Sequence, residues 1–221
     1  MPNEEPEAVV AAPPRIDQPA PDFEAPSTHG TVKLRDYRGK WLVFFAHPAD
    51  FTPVCASELV AFAKRADEFA AINCSLVALS VDSVYSHLAW RKNLEEHFGT
   101  AIDYPIIADV SLEISRRYGM LQNDGGRVST VRALFVIDDR GILRAMLWYP
   151  PPTGRSVAEV LRLVHALQTA DRLKVVTPEG WQPGAATVEH PPDTVAAAEA
   201  ADDLARGCVD WYYTTRSSDS D

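Results

Sequence analysis

Two nearly continuous apolar runs restrict the folds that this chain can adopt. WLVFFAH covers residues 41–47 and CSLVALSVD covers residues 74–82. Neither run alternates apolar with polar residues, so each predicts a strand that is buried on both faces. Between them, over residues 53–72, apolar side chains such as Leu59 and Phe62 recur at helical spacing, with charged residues in between. A buried strand, an amphipathic helix and a second buried strand predict an α/β fold.

The following segments continue the alternation of helices and strands. Gly99 would close a helix in which Trp90, Leu94 and Phe98 lie four residues apart. The further predicted elements are this helix over residues 83–99, an extended piece over 104–109, a short helix over 111–119, two strands around DDRG within 131–149, and an amphipathic helix over 156–173. The order βαβα, then a β-hairpin and a last helix, predicts a thioredoxin-like fold with a mixed central sheet flanked by helices.

The two ends of the chain differ in composition from this core. Residues 1–15 are acidic and rich in proline, so we expect a disordered tail there, followed by the thioredoxin-like domain over 16–173. Residues 174–221 are rich in proline and glycine and hold too few large apolar residues for a core of their own. The aromatic residues of CVDWYYTTR, near the end of this extension, favour contact with another subunit. We therefore expect a C-terminal dimerisation arm.

Composition argues against several classes of partner. The net charge is −10 and no run of lysine and arginine is present, which disfavours binding to nucleic acid or to an anionic membrane. No apolar run approaches the roughly 18 residues of a membrane span, and the acidic N-terminus does not resemble a secretory signal. The three cysteines form neither a C-x-x-C motif nor a metal-ligand pattern. We therefore expect a cytoplasmic protein with reduced thiols.

One of these cysteines, Cys55, is placed for reaction. It would lie in the first turn of the helix after the strand at 41–47, where unpaired backbone N–H groups and the helix dipole favour a thiolate. The hydroxyl of Thr52 would lie near the sulfur and can both donate and accept hydrogen bonds. Arg132 opens a buried strand, where a guanidinium has no evident packing purpose but can stabilise a thiolate and a developing oxyanion. Cys74 has no such polar neighbours and is interpreted as a core residue.

The stretch HPADFTPVCASEL, residues 47–59, carries a resemblance to a known family. Pro48, Thr52 and Cys55 match P-x-x-x-T-x-x-C, the active-site pattern of peroxiredoxins, and the leading histidine with DFTPVC resembles their one-cysteine branch. The other matching segments are PAPDFEAP (19–26), VALSVDS (77–83), YPIIAD (104–109), VRALFVID (131–138) and YPPPTGR (149–155). The resemblance runs from about residue 16 to the end of the chain.

This resemblance implies a thiol-dependent peroxidase with a thioredoxin fold. Cys55 would attack the O–O bond of hydrogen peroxide or of an organic hydroperoxide and become a sulfenic acid. Thr52 and Arg132 would hold the peroxide and the thiolate. Pro48 would shield the sulfur from solvent, and His47 would line the pocket.

The resemblance also implies supporting residues and partners. In the family a glutamate three residues after the cysteine pairs with arginines of the site, and Glu58, Arg132 and Arg155 match those positions. From the residues alone, Glu58 and Arg155 could instead form a surface ion pair, but we favour the role in the site. No metal, haem or flavin cofactor is implied. The expected partners are the peroxide, an external thiol reductant of the thioredoxin, glutaredoxin or glutathione type, and a second copy of the chain in a homodimer or a higher assembly.

Cys208, in the expected arm, leaves the fate of the sulfenic acid open. Some members of the branch carry cysteines in this arm that condense with the sulfenic acid. The matching pattern is C-x5-C, and here the second position is Thr214. Either an external thiol reduces Cys55 directly, or Cys208 of the partner subunit resolves it as a disulfide. The missing second cysteine favours the first route.

Two functions of other classes stay open at this point. The protein could be a non-catalytic peroxide sensor or a chaperone-like protein that uses Cys55 as a redox switch, which needs only one stoichiometric oxidation. It could also be a thioredoxin-fold interaction module with an idle thiol. In that case Cys55 would react with alkylating reagents no faster than free cysteine at neutral pH.

Overall fold

The computed structural model describes residues 13–124, 127–201 and 208–217. The predicted disordered tail over residues 1–15 therefore lies almost entirely outside the described residues. The chain forms two compact units, residues 1–157 and residues 158–221. Within the described ranges, none of the helices has the length and apolarity needed to cross a bilayer.

A mixed β-sheet forms the centre of the first unit. The strands of this unit are β1 (Glu24–Ser27), β2 (Gly30–Lys33), β3 (Trp41–Ala46), β4 (Cys74–Ser80), β5 (Ile106–Ala108), β6 (Leu121–Asp124), β7 (Arg127–Thr130), β8 (Arg132–Ile137) and β9 (Leu143–Tyr149). Among the described residues, seven of them follow the order β2-β1-β5-β4-β3-β8-β9, while β6 and β7 pair separately as a hairpin. The neighbours β3, β4 and β5 run parallel and the other pairs antiparallel, as the predicted mixed sheet requires.

The helices follow the predicted order with one difference. They are α1 (Pro53–Lys64), α2 (Ala66–Ala71), α3 (Val84–Phe98), α4 (Glu113–Arg117) and α5 (Val157–Leu173), with a short 3₁₀ helix at Leu34–Tyr37. The single helix predicted over residues 53–72 is in fact two helices, because Arg65 leaves helical geometry with φ −113° and ψ 11°. Neither glycine nor proline marks this break in the sequence.

The central strand β3 is buried on both faces, as its composition predicts. On one face Phe44 packs against Tyr118 and Phe135, with ring centroids 5.2 Å and 6.0 Å away. On the other face Phe45 stacks on Phe62 of α1, with ring centroids 4.3 Å apart. The stacking of Phe45 on Phe62 holds α1 against the end of the strand that leads into it.

Helix α3 begins and ends as its sequence indicates. The Ser83 hydroxyl accepts a hydrogen bond from the Ser86 amide at 3.2 Å, and Gly99 ends the helix in the left-handed region at φ 62°. The predicted apolar face is shorter than expected. Trp90 is buried, but Phe98, the last residue of the helix, is 51% exposed.

The second unit contains most of α5 and a small sheet. Its further elements are β10 (Thr187–Val188), α6 (Val195–Ala201), β11 (Cys208–Asp210) and β12 (Tyr213–Arg216). Among the described residues, the strands follow the order β10-β12-β11 and pair antiparallel. The predicted boundary at residue 174 stays a prediction.

Candidate active site

Cys55 lies in the first turn of α1, as its sequence predicts. The helix begins at Pro53, whose missing N–H costs nothing at this position, and Thr52 precedes it in extended conformation. Cys55 is therefore the third residue of a helix whose first backbone N–H groups have no intrahelical partner. Its side chain is fully buried, so a substrate has to enter a narrow site to reach the sulfur.

Arg132 brings a cation to this buried sulfur. It opens β8, the strand next to β3, and it is only 3% exposed. Its Nη1 lies 3.3 Å from Sγ of Cys55 and also donates to Oε2 of Glu58 at 2.8 Å. Its Nε donates to the carbonyl oxygen of Pro151 at 2.8 Å. These three contacts fix the guanidinium plane beside the cysteine.

Glu58 and Arg155 form a second, buried part of the site. The Arg155 Nε and backbone N–H both donate to Oε1 of Glu58, at 2.8 Å and 2.7 Å, and Nη2 donates to Oε2 at 2.7 Å. Glu58 is 2% exposed and Arg155 5% exposed, so the alternative of a surface ion pair is wrong. Burial alone would raise the pKa of Glu58, but the hydrogen bonds and charge of Arg155, with the charge of Arg132, hold it below its usual value.

The three charged side chains leave one net positive charge beside Cys55. Arg132 and Arg155 contribute two positive charges, and the ionised Glu58 neutralises one of them. Two buried guanidinium groups would repel each other without the carboxylate between them. Glu58 therefore holds both arginines in place and leaves a cation available to the sulfur.

Thr52 and Pro48 lie in the segment that connects β3 to α1. The Thr52 hydroxyl donates its hydrogen bond to the carbonyl oxygen of Ala49 at 2.8 Å. Its proton is thus committed and its lone pairs remain, so this hydroxyl can accept a hydrogen bond from an incoming O–H group. Pro48 and Thr52 are both partly buried.

His47 is fully buried and belongs to a cluster that its sequence does not reveal. Its Nε2 lies 2.9 Å from Oδ1 of Asp50, and Oδ2 of Asp50 lies 2.7 Å from Nδ1 of His87 in α3. Burial lowers the pKa of His47 against the opposing effect of Asp50. Burial would raise the pKa of Asp50, but the hydrogen bonds and charges of the two histidines hold it well below its usual range.

The described residues contain one group that could hold a metal ion, and it is this same cluster. Its three ligand atoms, from His47, Asp50 and His87, lie within 4.8 Å of one another. Each oxygen of Asp50 is already engaged by a different imidazole at hydrogen-bond distance. Hydrogen bonding accounts for this arrangement without an ion.

The other two cysteines lie in different surroundings. Cys74 is buried at the start of β4, and burial raises the pKa of its thiol to about 12, which agrees with its interpretation as a core residue. Cys208 is partly exposed in β11, directly across from Thr214 in the strand pairing. The two positions of the C-x5-C pattern are therefore cross-strand partners, and this chain has a thiol at one of them.

Comparison with known proteins identifies the family. The model of the AhpC/TSA family matches residues 16–146, and the model of the C-terminal domain of 1-Cys peroxiredoxin matches residues 166–201. A peroxiredoxin of Aquifex aeolicus is 51% identical over 215 residues, which cover 92% of this chain and 96% of the relative. The chain belongs to the peroxiredoxin family. It is a thiol-dependent peroxidase, as its resemblance to the family implies.

Solved peroxiredoxin structures confirm the thioredoxin-like fold. The yeast mitochondrial 1-Cys peroxiredoxin, studied for thiol resolution through the glutathione and thioredoxin systems, has 36% identity and a TM-score of 0.81, covering 91% of this chain and 99% of that chain. The peroxiredoxin 6 of Arenicola marina has 36% identity and a TM-score of 0.78, covering 84% and 88%. The predicted peroxiredoxin family and its one-cysteine branch are therefore confirmed.

Proposed function

We propose that Cys55 is the peroxidatic cysteine and that it reduces hydrogen peroxide and organic hydroperoxides. The observation that carries this assignment is the 3.3 Å contact between Nη1 of Arg132 and the buried Sγ of Cys55. Cys55 differs from the other two thiols in two ways among the described residues. It lies in the first turn of a helix, and its sulfur contacts a cation. Both features favour the thiolate, which is the nucleophilic form of cysteine.

The proposed reaction balances within this site. The thiolate sulfur of Cys55 attacks one oxygen of the hydroperoxide, an S–O bond forms, and the O–O bond breaks. The electron pair of that bond leaves on hydroxide or alkoxide, which takes a proton from water and departs as water or alcohol. Cys55 is oxidised to the sulfenic acid while the peroxide is reduced. The guanidinium of Arg132 lies where negative charge moves from sulfur to oxygen, so it can stabilise both ends of that transfer.

The remaining residues would orient the substrate. Thr52 would accept the O–H of the peroxide with its free lone pairs, Pro48 would limit access of water to the sulfur, and His47 would form part of the pocket wall. Glu58 and Arg155 would act through Arg132, by fixing its guanidinium against Cys55. No residue here needs a metal or an organic cofactor, because the thiol supplies both electrons.

We further propose that an external thiol reduces the sulfenic acid. Peroxiredoxins use peroxides together with thiol reductants such as thioredoxin or glutathione. The reductant of this chain would be a thiol of the thioredoxin, glutaredoxin or glutathione type. The second arm position is Thr214, so Cys208 lacks the cross-strand thiol that would complete a two-cysteine relay in the arm. The alternative is a disulfide between Cys55 and Cys208 of the partner subunit.

We also propose that the protein is a cytoplasmic homodimer. The hairpin of β11 and β12 carries a cluster of exposed apolar side chains, at Val209, Trp211, Tyr212 and Tyr213. Among the described residues, β9 ends the central sheet on one side, and its Trp148 is 43% exposed. Exposed aromatic residues and a free strand edge are features that a second copy would cover.

The test of the catalytic assignment is a trapping experiment with a matched variant. The pre-reduced protein and its Cys208→Ser variant receive one equivalent of hydrogen peroxide, then a sulfenic-acid reagent, and are analysed by intact mass without reductant. A trapped sulfenic acid on Cys55 in both proteins supports the one-cysteine cycle. A crosslink between Cys55 and Cys208 that the variant lacks would replace it with the two-cysteine cycle. Peroxide turnover that persists in Cys55→Ser would overturn the assignment itself.

A further inference from the structure

The second unit contains a cavity that is separate from the residues assigned to the peroxidase reaction. Its volume is about 310 Å³, which lies within the range of small-molecule sites. Its wall is formed by α5, by the turn at residues 181–185 and by the strands β10 and β12, all within the second unit. The cavity is therefore a candidate site in its own right.

Two arginines and a histidine make the wall of this cavity basic. His165, Thr169 and Arg172 follow one another at helical spacing, so they share one face of α5. Arg216 of β12 lies directly across from Thr187 of β10, so both side chains leave the same face of the small sheet. Within the described part of the chain, the wall holds no aspartate or glutamate. In a chain with a net charge of −10, this is a local concentration of positive charge.

Another part of the wall is largely apolar and is held in place by hydrogen bonds. Trp181 is 4% exposed, and its Nε1 donates to the carbonyl oxygen of Ala185 at 3.1 Å. The backbone N–H of Ala185 donates to the carbonyl oxygen of Gln182 at 2.9 Å, which closes a turn with Pro183 and Gly184 at its centre. Gly184 has φ 86°, as the third residue of a type II turn requires. The indole and the proline ring therefore lie in fixed positions beside the basic groups.

The composition of the wall indicates which class of ligand it suits. Arg172 is exposed and Arg216 is partly buried, so a ligand can reach both from solvent. Two guanidinium groups neutralise a dianion, and each can donate two parallel N–H bonds to phosphate oxygens. The hydroxyl groups of Thr169 and Thr187 add donors for an anion with three free oxygens. The cavity is larger than a phosphate group alone, and Trp181 offers an aromatic surface to the rest of the molecule.

We propose that this cavity is a binding site for a small organic phosphate, whose phosphate group is held by Arg172 and Arg216 and whose body packs on Trp181. Both arginines also have other contacts, so the ligand binds in competition with them. No covalent bond is made or broken in this site. The inference goes beyond the peroxidase reaction and does not depend on the assignment of Cys55.

The indole N–H of Trp181 gives a readout from the cavity wall itself. The full-length reduced protein, labelled with ¹⁵N at its five tryptophans, is titrated with phenyl phosphate at neutral pH and followed by ¹H–¹⁵N correlation, with Trp181→Phe for assignment. We expect the Trp181 signal to shift and saturate while the other four stay in place. Phenol and inorganic phosphate, which supply the body and the anion separately, should bind at least about tenfold more weakly. A Trp181 signal that does not move in up to about 10 mM phenyl phosphate would overturn the proposal, and benzoate that binds equally well would overturn the choice of phosphate.

Variants of the two arginines test whether they hold the phosphate group. Arg172→Gln and Arg216→Gln should each weaken the binding of phenyl phosphate about tenfold, because charge-assisted hydrogen bonds are lost. Lys174→Gln is the matched control, because it removes the same charge from an exposed residue just after α5 that is not part of the wall. It should change the affinity by less than about twofold. Equal weakening in all three variants would mean general attraction by charge and would contradict the proposal; the four other indole signals report whether each variant is folded.

Acidic residues of the chain itself are the competing occupant that the test has to separate. Ser217 belongs to the cavity wall, and the sequence continues with Asp219 and Asp221, which lie outside the described residues. The titration is therefore repeated with both aspartates changed to asparagine. A similar affinity in the parent and in this double variant supports a site for an external phosphate. Binding that is seen only in the double variant would show that the chain's own carboxylates occupy the cavity, which would overturn the proposal.

Discussion

The contact of Arg132 with Cys55 gives the most direct test of how this site works. We expect Arg132→Ala to slow the reaction with hydrogen peroxide by a factor of about 10² to 10³. Two unit charges 3.3 Å apart attract each other by about 5 kcal/mol at an effective dielectric constant of about 20. Nη1 of Arg132 is also shared with Glu58 at 2.8 Å, which offsets part of this attraction. A remaining effect of about 3–4 kcal/mol corresponds to the expected loss of rate.

The variant is suited to this measurement because the buried carboxylate of Glu58 keeps a cationic partner. Glu58 retains its three hydrogen bonds from Arg155, so no carboxylate is left buried and unpaired. The second-order rate constant is measured by competition with a haem peroxidase for limiting hydrogen peroxide. Arg132→Lys keeps a charge without the planar fork and should fall between the wild type and Arg132→Ala. Arg65→Ala, at an exposed ion pair just after the same helix, is the matched control and should react normally.

The outcome that would refute this reasoning is a folded Arg132→Ala with a rate constant within about threefold of the wild type. The 3.3 Å contact would then have no part in stabilising the charge that moves from sulfur to oxygen. A loss of rate equal in Arg132→Lys and Arg132→Ala would show instead that the fork geometry, more than the charge, is required.

Three further predictions concern Glu58, the thiol of Cys74 and the turn at Gly141. Glu58→Gln should lower the free energy of unfolding by about 3 kcal/mol or more near pH 7, since two buried arginines lose their counter-ion. Because the pKa of Glu58 in the folded state is below its usual value, this difference from the wild type should shrink as pH falls below about 4.3. Denaturation curves that show the same difference at every pH would contradict this. Cys74, whose thiol has a pKa of about 12, should stay unmodified by iodoacetamide at pH 8 in the folded protein while Cys55 reacts, as peptide mapping can show. Gly141→Ala should cost about 1–2 kcal/mol in denaturant unfolding, because Gly141 has φ 76°; an unchanged midpoint would argue against strain in this turn.

The parts of the fold that the sequence predicts well are those with strong local patterns. The runs at β3 and β4 are apolar without alternation, and both strands are buried. Helix α3 has Ser83 before it and Gly99 after it, and these residues cap it. The hairpin of β6 and β7 is not among the elements predicted above. The sequence has Gly-Gly at positions 125–126, between the two strands, and this dipeptide is a common hairpin signal, so the sequence contained a signal for this element.

The candidate site divides in the same way. Pro48, Thr52 and Cys55 lie within eight residues, so a single motif contains them. Asp50 and His87, by contrast, are 37 residues apart and meet only in the folded chain. A weak signal exists for His87, because it lies three residues before the buried Trp90 and therefore on the buried face of α3. A histidine on such a face needs a partner, but the sequence alone does not say which residue supplies it.

The placement of Arg132 shows how the core determines the chemistry. Side chains along a strand alternate between faces, and Arg132 shares its face with Leu134, the cross-strand neighbour of Phe45. Phe45 is the residue on which α1 packs through Phe62, so Arg132 points to the side of the sheet where Cys55 lies. A register shift of one residue between β3 and β8 would turn Arg132 to the opposite face and bury Phe135 on the wrong side. The aromatic packing that fixes this register therefore also brings the cation to the sulfur.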